Sequence, residues 1–225
     1  MDRRQLLIGL VVLAVIALGV IAYMVFATPG TETADLSSST PTYTVTITSA
    51  DRTQGNPKAP VTMVEYAAPS CPHCAHFDMT MFPDLKKNYI DTGKVFYVFR
   101  VFPLSQVDIA AESMARCLPA DNYFQFIDLL FRNQDKWDPD GYQIPDVHGA
   151  LVNMGRLAGM SAEQVDSCIG NQAEQKRATD VGQYAQTTYG INGTPTFLVN
   201  GQIAPPFETF ADVKKYLDQV LAQKK

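Results

Sequence analysis

Val61-Thr62-Met63-Val64-Glu65-Tyr66-Ala67 leads, three residues later, into Cys71-Pro72-His73-Cys74. The first seven residues are an apolar run with one acid and read as a buried strand. The residues after the second cysteine, from about Ala75 to Tyr89, read as a helix. A Cys-x-x-Cys pair at a strand-to-helix junction marks a redox-active dithiol. Cys71 falls at the helix N-terminus, where unpaired N–H groups and the helix dipole favour negative charge. A thiolate is stabilised there, and the thiolate is the reactive form of cysteine. Cys74, one helical turn later, is close enough to close a disulfide.

Zinc also takes Cys-x-x-Cys, but a structural site normally needs a second ligand pair of similar spacing. Cys117 and Cys168 stand alone, and the three histidines supply no such pair. A purely structural disulfide leaves Pro72 and His73 between the cysteines unexplained.

The chain has 225 residues, 46% of them hydrophobic, and a net charge of −5. That suffices for one domain of ordinary core size, or one domain carrying an insertion. The mild acidity argues against a nucleic-acid partner. Asp2-Arg3-Arg4-Gln5 precedes a run without charged side chains, Leu6 to Ala27. At about 1.5 Å per residue, a helix of that length crosses a ~30 Å hydrocarbon core. The arginines before it keep the N-terminus in the cytoplasm and export the rest. Residues 1–27 are therefore a signal anchor, or a signal peptide cleaved near Val25-Phe26-Ala27. Residues 28–42, rich in Thr, Ser, Pro and Gly, read as a flexible linker.

Tyr43-Thr44-Val45-Thr46-Ile47-Thr48 alternates with period two and reads as a strand, and Asp51 to Pro60 as a loop. Val95 to Phe102 reads as a further strand, giving a βαβ unit with a parallel pair. Amphipathic helical patterns follow at about 105–117, 121–133, 145–158 and 161–169, with a more polar one at 171–188. They form a helical block at 104–190, inserted between the two halves of an α/β domain, 43–103 and 191–225. Asn200-Gly201, between Thr196–Val199 and Gln202-Ile203, is a hairpin signal. Glu208 to Gln223 is a final amphipathic helix.

With Cys71-Pro72-His73-Cys74, the 104–190 block, Glu65 six residues before Cys71, and Thr194-Pro195 opening a later strand, residues 43–223 resemble the thioredoxin superfamily, specifically the DsbA-like thiol:disulfide oxidoreductases. The resemblance implies an α/β thioredoxin fold with an inserted helical domain. It implies a cis Thr194–Pro195 bond beside the cysteines, forming the floor of a client groove. It also implies a buried proton-exchanging acid at Glu65 and a membrane protein that reoxidises Cys71–Cys74. Cys71 is then the exposed, attacked sulfur, with His73 as a nearby proton-bearing group, and Cys74 is the buried resolving partner. The redox group is the cysteine pair itself, with no metal and no other cofactor. The expected activity is dithiol oxidation of exported client proteins on the periplasmic side of the bacterial inner membrane. Thr194 is also common before the cis-proline of related isomerases, so isomerase or reductase activity stays open. So does a non-enzymatic class, a tethered chaperone or a copper carrier using the two sulfurs as soft ligands. Export into an oxidising compartment favours a Cys117–Cys168 disulfide; two buried free thiols are the alternative.

Overall fold

The computed structural model describes residues 41–223. The expected anchor at 1–27, and all but the last two residues of the 28–42 linker, lie outside the described residues. Among those described, no helix is long and apolar enough to cross a membrane.

A five-stranded sheet organises the fold, in the order β1-β3-β2-β4-β5. β2 (Val61–Ala67) and β3 (Val95–Val101) are parallel, with Glu65 opposite Phe99. β1 (Arg52–Gln54) lies antiparallel on the β3 edge. β4 (Thr196–Val199) lies antiparallel on the other side of β2, and β5 (Gln202–Ile203) closes the hairpin. Both faces of the central pair are covered, so β2 and β3 are apolar almost throughout. The pleat sorts them: Met63, Ala67, Tyr97 and Phe99 enter one core, Val64, Tyr66, Phe96 and Val98 the other.

Two local expectations are corrected. Tyr43–Thr48 does not join the sheet as a strand. It runs as an extended strap, tied by the Tyr43 amide to the Gly201 carbonyl at 2.8 Å, with Tyr43, Val45 and Ile47 packed on the second core. The alternation marked the buried face correctly, but the edge position went to Arg52–Gln54, inside the expected loop. The helix expected over 75–89 begins earlier and is broken. α1 (Pro72–Thr80) opens with proline at its first position, where no N–H is needed. α2 (Phe82–Leu85) and a π-turn at Lys86–Ile90 follow. Pro83, lacking an N–H, ends the α1 ladder near Met81.

The helical block comprises α3 (Gln106–Cys117), α4 (Tyr123–Phe131), α5 (Gln134–Trp137), α6 (Val147–Leu157), α7 (Ala162–Ile169) and α8 (Gln172–Tyr189). Only the four-residue α5 has no counterpart in the sequence reading, being too short to show a helical period. Cys117 and Cys168 are joined by a disulfide that ties the end of α3 to α7. α9 (Phe210–Ala222) is capped by Thr209, whose hydroxyl accepts from the Asp212 amide, and packs near α2.

In the β4–β5 turn, Asn200 and Gly201 both have positive φ, 49° and 82°, as a two-residue type I′ turn requires. A Cβ on Gly201 would lie 2.0 Å from the Tyr43 carbonyl oxygen. Gly201→Ala should therefore cost about 2–4 kcal/mol in urea unfolding, through φ strain and displacement of the strap. A loss below about 0.5 kcal/mol would mean that the strap is not seated on the hairpin.

Candidate active site

The site sits where β2 runs out. The Phe102 amide takes the Ala67 carbonyl at 2.8 Å, and the Cys71 amide takes that of Ala68 at 3.0 Å. These bonds turn the chain sharply into α1. Cys71 is the N-cap residue, and its Sγ accepts from the Cys74 amide at 3.3 Å. Sulfur thus stands where a serine or aspartate oxygen commonly caps a helix. The two sulfurs are free thiols in this structure.

Cys71 is more enclosed than expected, 3% exposed. It lines a cleft of about 600 Å³ together with Ser70, Leu104, Gln134, Asp138 and Tyr142. Leu104 and Tyr142 are apolar rims, 53% and 45% exposed. Thr194 and Pro195 are joined by a cis peptide bond and do not line this cleft. Thr194 reaches the sulfur directly, its carbonyl accepting from Cys71 Sγ–H at 3.3 Å. That carbonyl favours the protonated thiol. The Thr194 hydroxyl, on the same residue, acts in the other sense.

The two thiols are driven apart. Cys71 is lowered from 9.0 to about 6, chiefly because the Cys74 thiol donates to its sulfur. Burial opposes this, while the Thr194 hydroxyl and the Cys74 and His73 amides reinforce it. The fall corresponds to about 4 kcal/mol of preference for the thiolate. Cys74 is raised well above 9.0, first by burial, then by its hydrogen bond to Cys71, then by the charges of Cys71 and Glu65. The pair can present one thiolate to an incoming sulfur while keeping its partner protonated.

Glu65 is buried in β2, in phase with Met63 and Ala67 and so on the α1 side of the sheet. Burial raises its carboxyl from 4.5 to about 8, against the lowering effect of the Tyr97 hydroxyl, which donates to it. The His73 ring is exposed and makes no hydrogen bond among the described residues; its backbone N–H is the part that serves Cys71. Pro72 is exposed at the first helical position.

Two supports escaped the sequence reading. Gln134 Nε2 donates to the Pro69 and Cys71 carbonyls at 2.8 and 3.0 Å. Asp108, fully buried, accepts the Ser70, Leu104 and Ser105 amides at 2.8, 2.9 and 3.1 Å. The spacing Ser105-x-x-Asp108 was a visible capping signal for α3. Its reach across to Ser70 was not, and nothing local marked Gln134. Among the described residues, no cluster of three or more His, Cys, Asp or Glu could hold a metal ion.

A family model described as thioredoxin matches residues 48–219. A Rickettsia felis protein named as a protein-disulfide oxidoreductase is 36% identical over 152 residues, covering 67% of this chain and 53% of its own. The chain thus spans about half the length of that relative. Disulfide bond formation protein D of Bacillus cereus is 30% identical over 177 residues, 77% of this chain and 80% of that one. The crystal structure of Wolbachia pipientis alpha-DsbA1 superposes with a TM-score of 0.72 at 26% identity, covering 79% and 94% of the two chains.

Titration of thiolate absorbance should give one midpoint near pH 6, from Cys71, and no second step until well above pH 9.0. A midpoint near that of free cysteine would remove the basis for a reactive Cys71. Glu65 supplies an independent check. Its pKa is higher in the folded state than in the unfolded, so its contribution to stability is lost as pH rises from 4.5 through about 8. Glu65→Gln abolishes that loss. At pH 8 the variant should be more stable than the parent by up to about 4 kcal/mol, with the gain gone at pH 4. Parallel stability profiles would mean that Glu65 is not held as a neutral acid.

Proposed function

The chain belongs to the DsbA-like protein-disulfide oxidoreductases of the thioredoxin superfamily, and on that premise we propose that it is a dithiol oxidase. It donates a Cys71–Cys74 disulfide to exported client proteins. The observation that carries this reading is the placement of the two sulfurs: Cys71 Sγ caps α1 and accepts the Cys74 amide at 3.3 Å while Cys74 is wholly buried, which displaces Cys71 down to about 6 and Cys74 up. A strongly stabilised Cys71 thiolate favours the reduced protein, and so makes the oxidised form a donor of disulfides.

In the oxidised protein a client thiolate attacks Cys71 Sγ. The Cys71–Cys74 bond breaks, and its electron pair leaves on Cys74, which takes up a proton because its environment disfavours the anion. Glu65, neutral up to about pH 8, is the buried acid on that side of the sheet. A second client thiolate then attacks the client sulfur of the mixed disulfide, and Cys71 departs as a stable thiolate. Two client thiolates have lost two electrons, and Cys71 and Cys74 hold them as a dithiol. No further cofactor is needed, and a membrane reoxidase would remove the electrons. Thr194, whose carbonyl meets the Cys71 sulfur, and the cis-bonded Pro195 after it would position an extended client segment. Residues 1–27 would place the domain on the periplasmic side of the inner membrane, anchored or released by cleavage.

The reduction potential of Cys71–Cys74 tests this against its alternatives. A value near about −120 mV, that of DsbA, marks a strong oxidant; one near about −270 mV, that of thioredoxin, marks a reductase. A copper carrier would bind the ion through both sulfurs and lose it when either is replaced. Cys74→Ser should accumulate client mixed disulfides at Cys71, because the resolving thiol is gone. Adducts at Cys74 in a Cys71→Ser variant would reverse the assignment.

A further inference from the structure

A second cavity, of about 500 Å³, shares no lining residue with the cleft beside Cys71. It opens between β3, the helices α3 and α8, and the segment from Thr48 to Asp51 at the end of the strap. Its walls are largely apolar, from Tyr66, Phe99, Val101, Val181 and Tyr184. Tyr184 is 52% exposed at its edge. Charged groups also line it, and most are already engaged.

Arg100 donates to both Asp51 carboxylate oxygens at 2.7 and 3.0 Å, to the Tyr66 hydroxyl and to the Thr46 carbonyl. Lys176 pairs with Asp180 at 2.5 Å. Arg177 is divided between Glu112 at 2.5 Å and Glu174 at 2.6 Å. Arg116 differs. Its side chain is 8% exposed, and its one hydrogen bond among the described residues runs from Nη1 to the Ala50 carbonyl at 2.8 Å. Its buried Nε makes none and stands 3.6 Å from Glu174, a carboxylate already held by Arg177. The buried Nε of Arg52, also near Glu174, is likewise without a hydrogen bond. Three guanidinium groups, Arg52, Arg116 and Arg177, thus share two carboxylates, Glu112 and Glu174, and Glu112 also accepts from Tyr123.

We infer that this cavity binds a carboxylate carried on an apolar body, its head group on Arg116 and its body against Phe99, Val101 and Val181. A guanidinium short of acceptors matches a planar carboxylate. The apolar walls favour an aliphatic or aromatic acid over a fully hydrated anion such as free phosphate. The volume is that of an ordinary small-molecule site. The acid is a free carboxylic acid or the C-terminal carboxylate of a peptide, which share this chemistry.

Octanoate, titrated into the full chain and followed by calorimetry and by amide shifts, tests the inference. Octanoate should bind at least about tenfold more tightly than 1-octanol. It should shift the amides of Ala50, Val181 and Tyr184, and leave the Cys71–Cys74 potential unchanged. Arg116→Gln should weaken octanoate by about tenfold or more and leave octanol unaffected. The amide shifts in the unmodified chain stand as a reading of their own if that variant folds poorly. A peptide ending in a free leucine carboxylate that binds more tightly than both its amide and octanoate would identify a C-terminal source; one that binds no better than its amide would identify a free acid. Equal affinity for octanoate and octanol, shifts confined to the cleft beside Cys71, or no binding at millimolar octanoate would each overturn it.

Discussion

The hydrogen bond from the Cys74 amide to the Cys71 sulfur depends on the first turn of α1 being held in one place. That turn does not hold itself. The loop before it, Ala68 to Ser70, carries backbone groups that no strand or helix satisfies, and an unpaired buried backbone group is costly. Asp108 and Gln134 supply the partners, one from the start of α3 and the other from α5. Both belong to the helical block, so the block braces the cysteine loop as well as covering the sheet. Asp108 is buried to do so, and burial raises its pKa even though three backbone amides work against the rise.

The same apolar surroundings set the two sulfurs in opposition. Cys74 lies wholly inside and has little to stabilise an anion; Cys71 lies at the helix end, with amides, a thiol and the Thr194 hydroxyl directed at it. Desolvation acts on both, and local donors outweigh it only at Cys71. Glu65 experiences the interior as Cys74 does: one hydroxyl from Tyr97 cannot offset full burial. An acid and a thiol that both resist ionisation thus lie on one side of the sheet.

The block is tied together twice over. The Cys117–Cys168 disulfide joins α3 to α7. The Glu112, Glu174 and arginine cluster joins α3 to α8 at the sheet edge. In the second tie the cations outnumber the carboxylates, and this imbalance is what sets the neighbouring cavity apart from a simple packing gap.

What the amino-acid order determined by itself was local. A strand, a turn and a proline-led helix around Cys71 and Cys74 follow from apolar run length and from proline at the first helical position. The Asn200-Gly201 hairpin follows from the positive φ that both residues accept. The pleat put Glu65 on the α1 side. Four of the insertion helices and α9 carried a 3.6-residue period, and the family resemblance supplied the rest of the architecture. Tertiary structure decided whatever depended on competition for partners across long separations. Arg52–Gln54 became a strand on the β3 edge while Tyr43–Thr48, with the better alternation, did not, because pairing depends on what else covers the sheet. Cys71 proved enclosed, with the Thr194 carbonyl on its sulfur and Gln134 on its carbonyl, both from distant positions. The roles of Asp108 and Gln134, and the unmet donors of Arg116, could be read only after folding. A hydrogen-bond deficit belongs to a three-dimensional neighbourhood, and no periodicity along the chain records it.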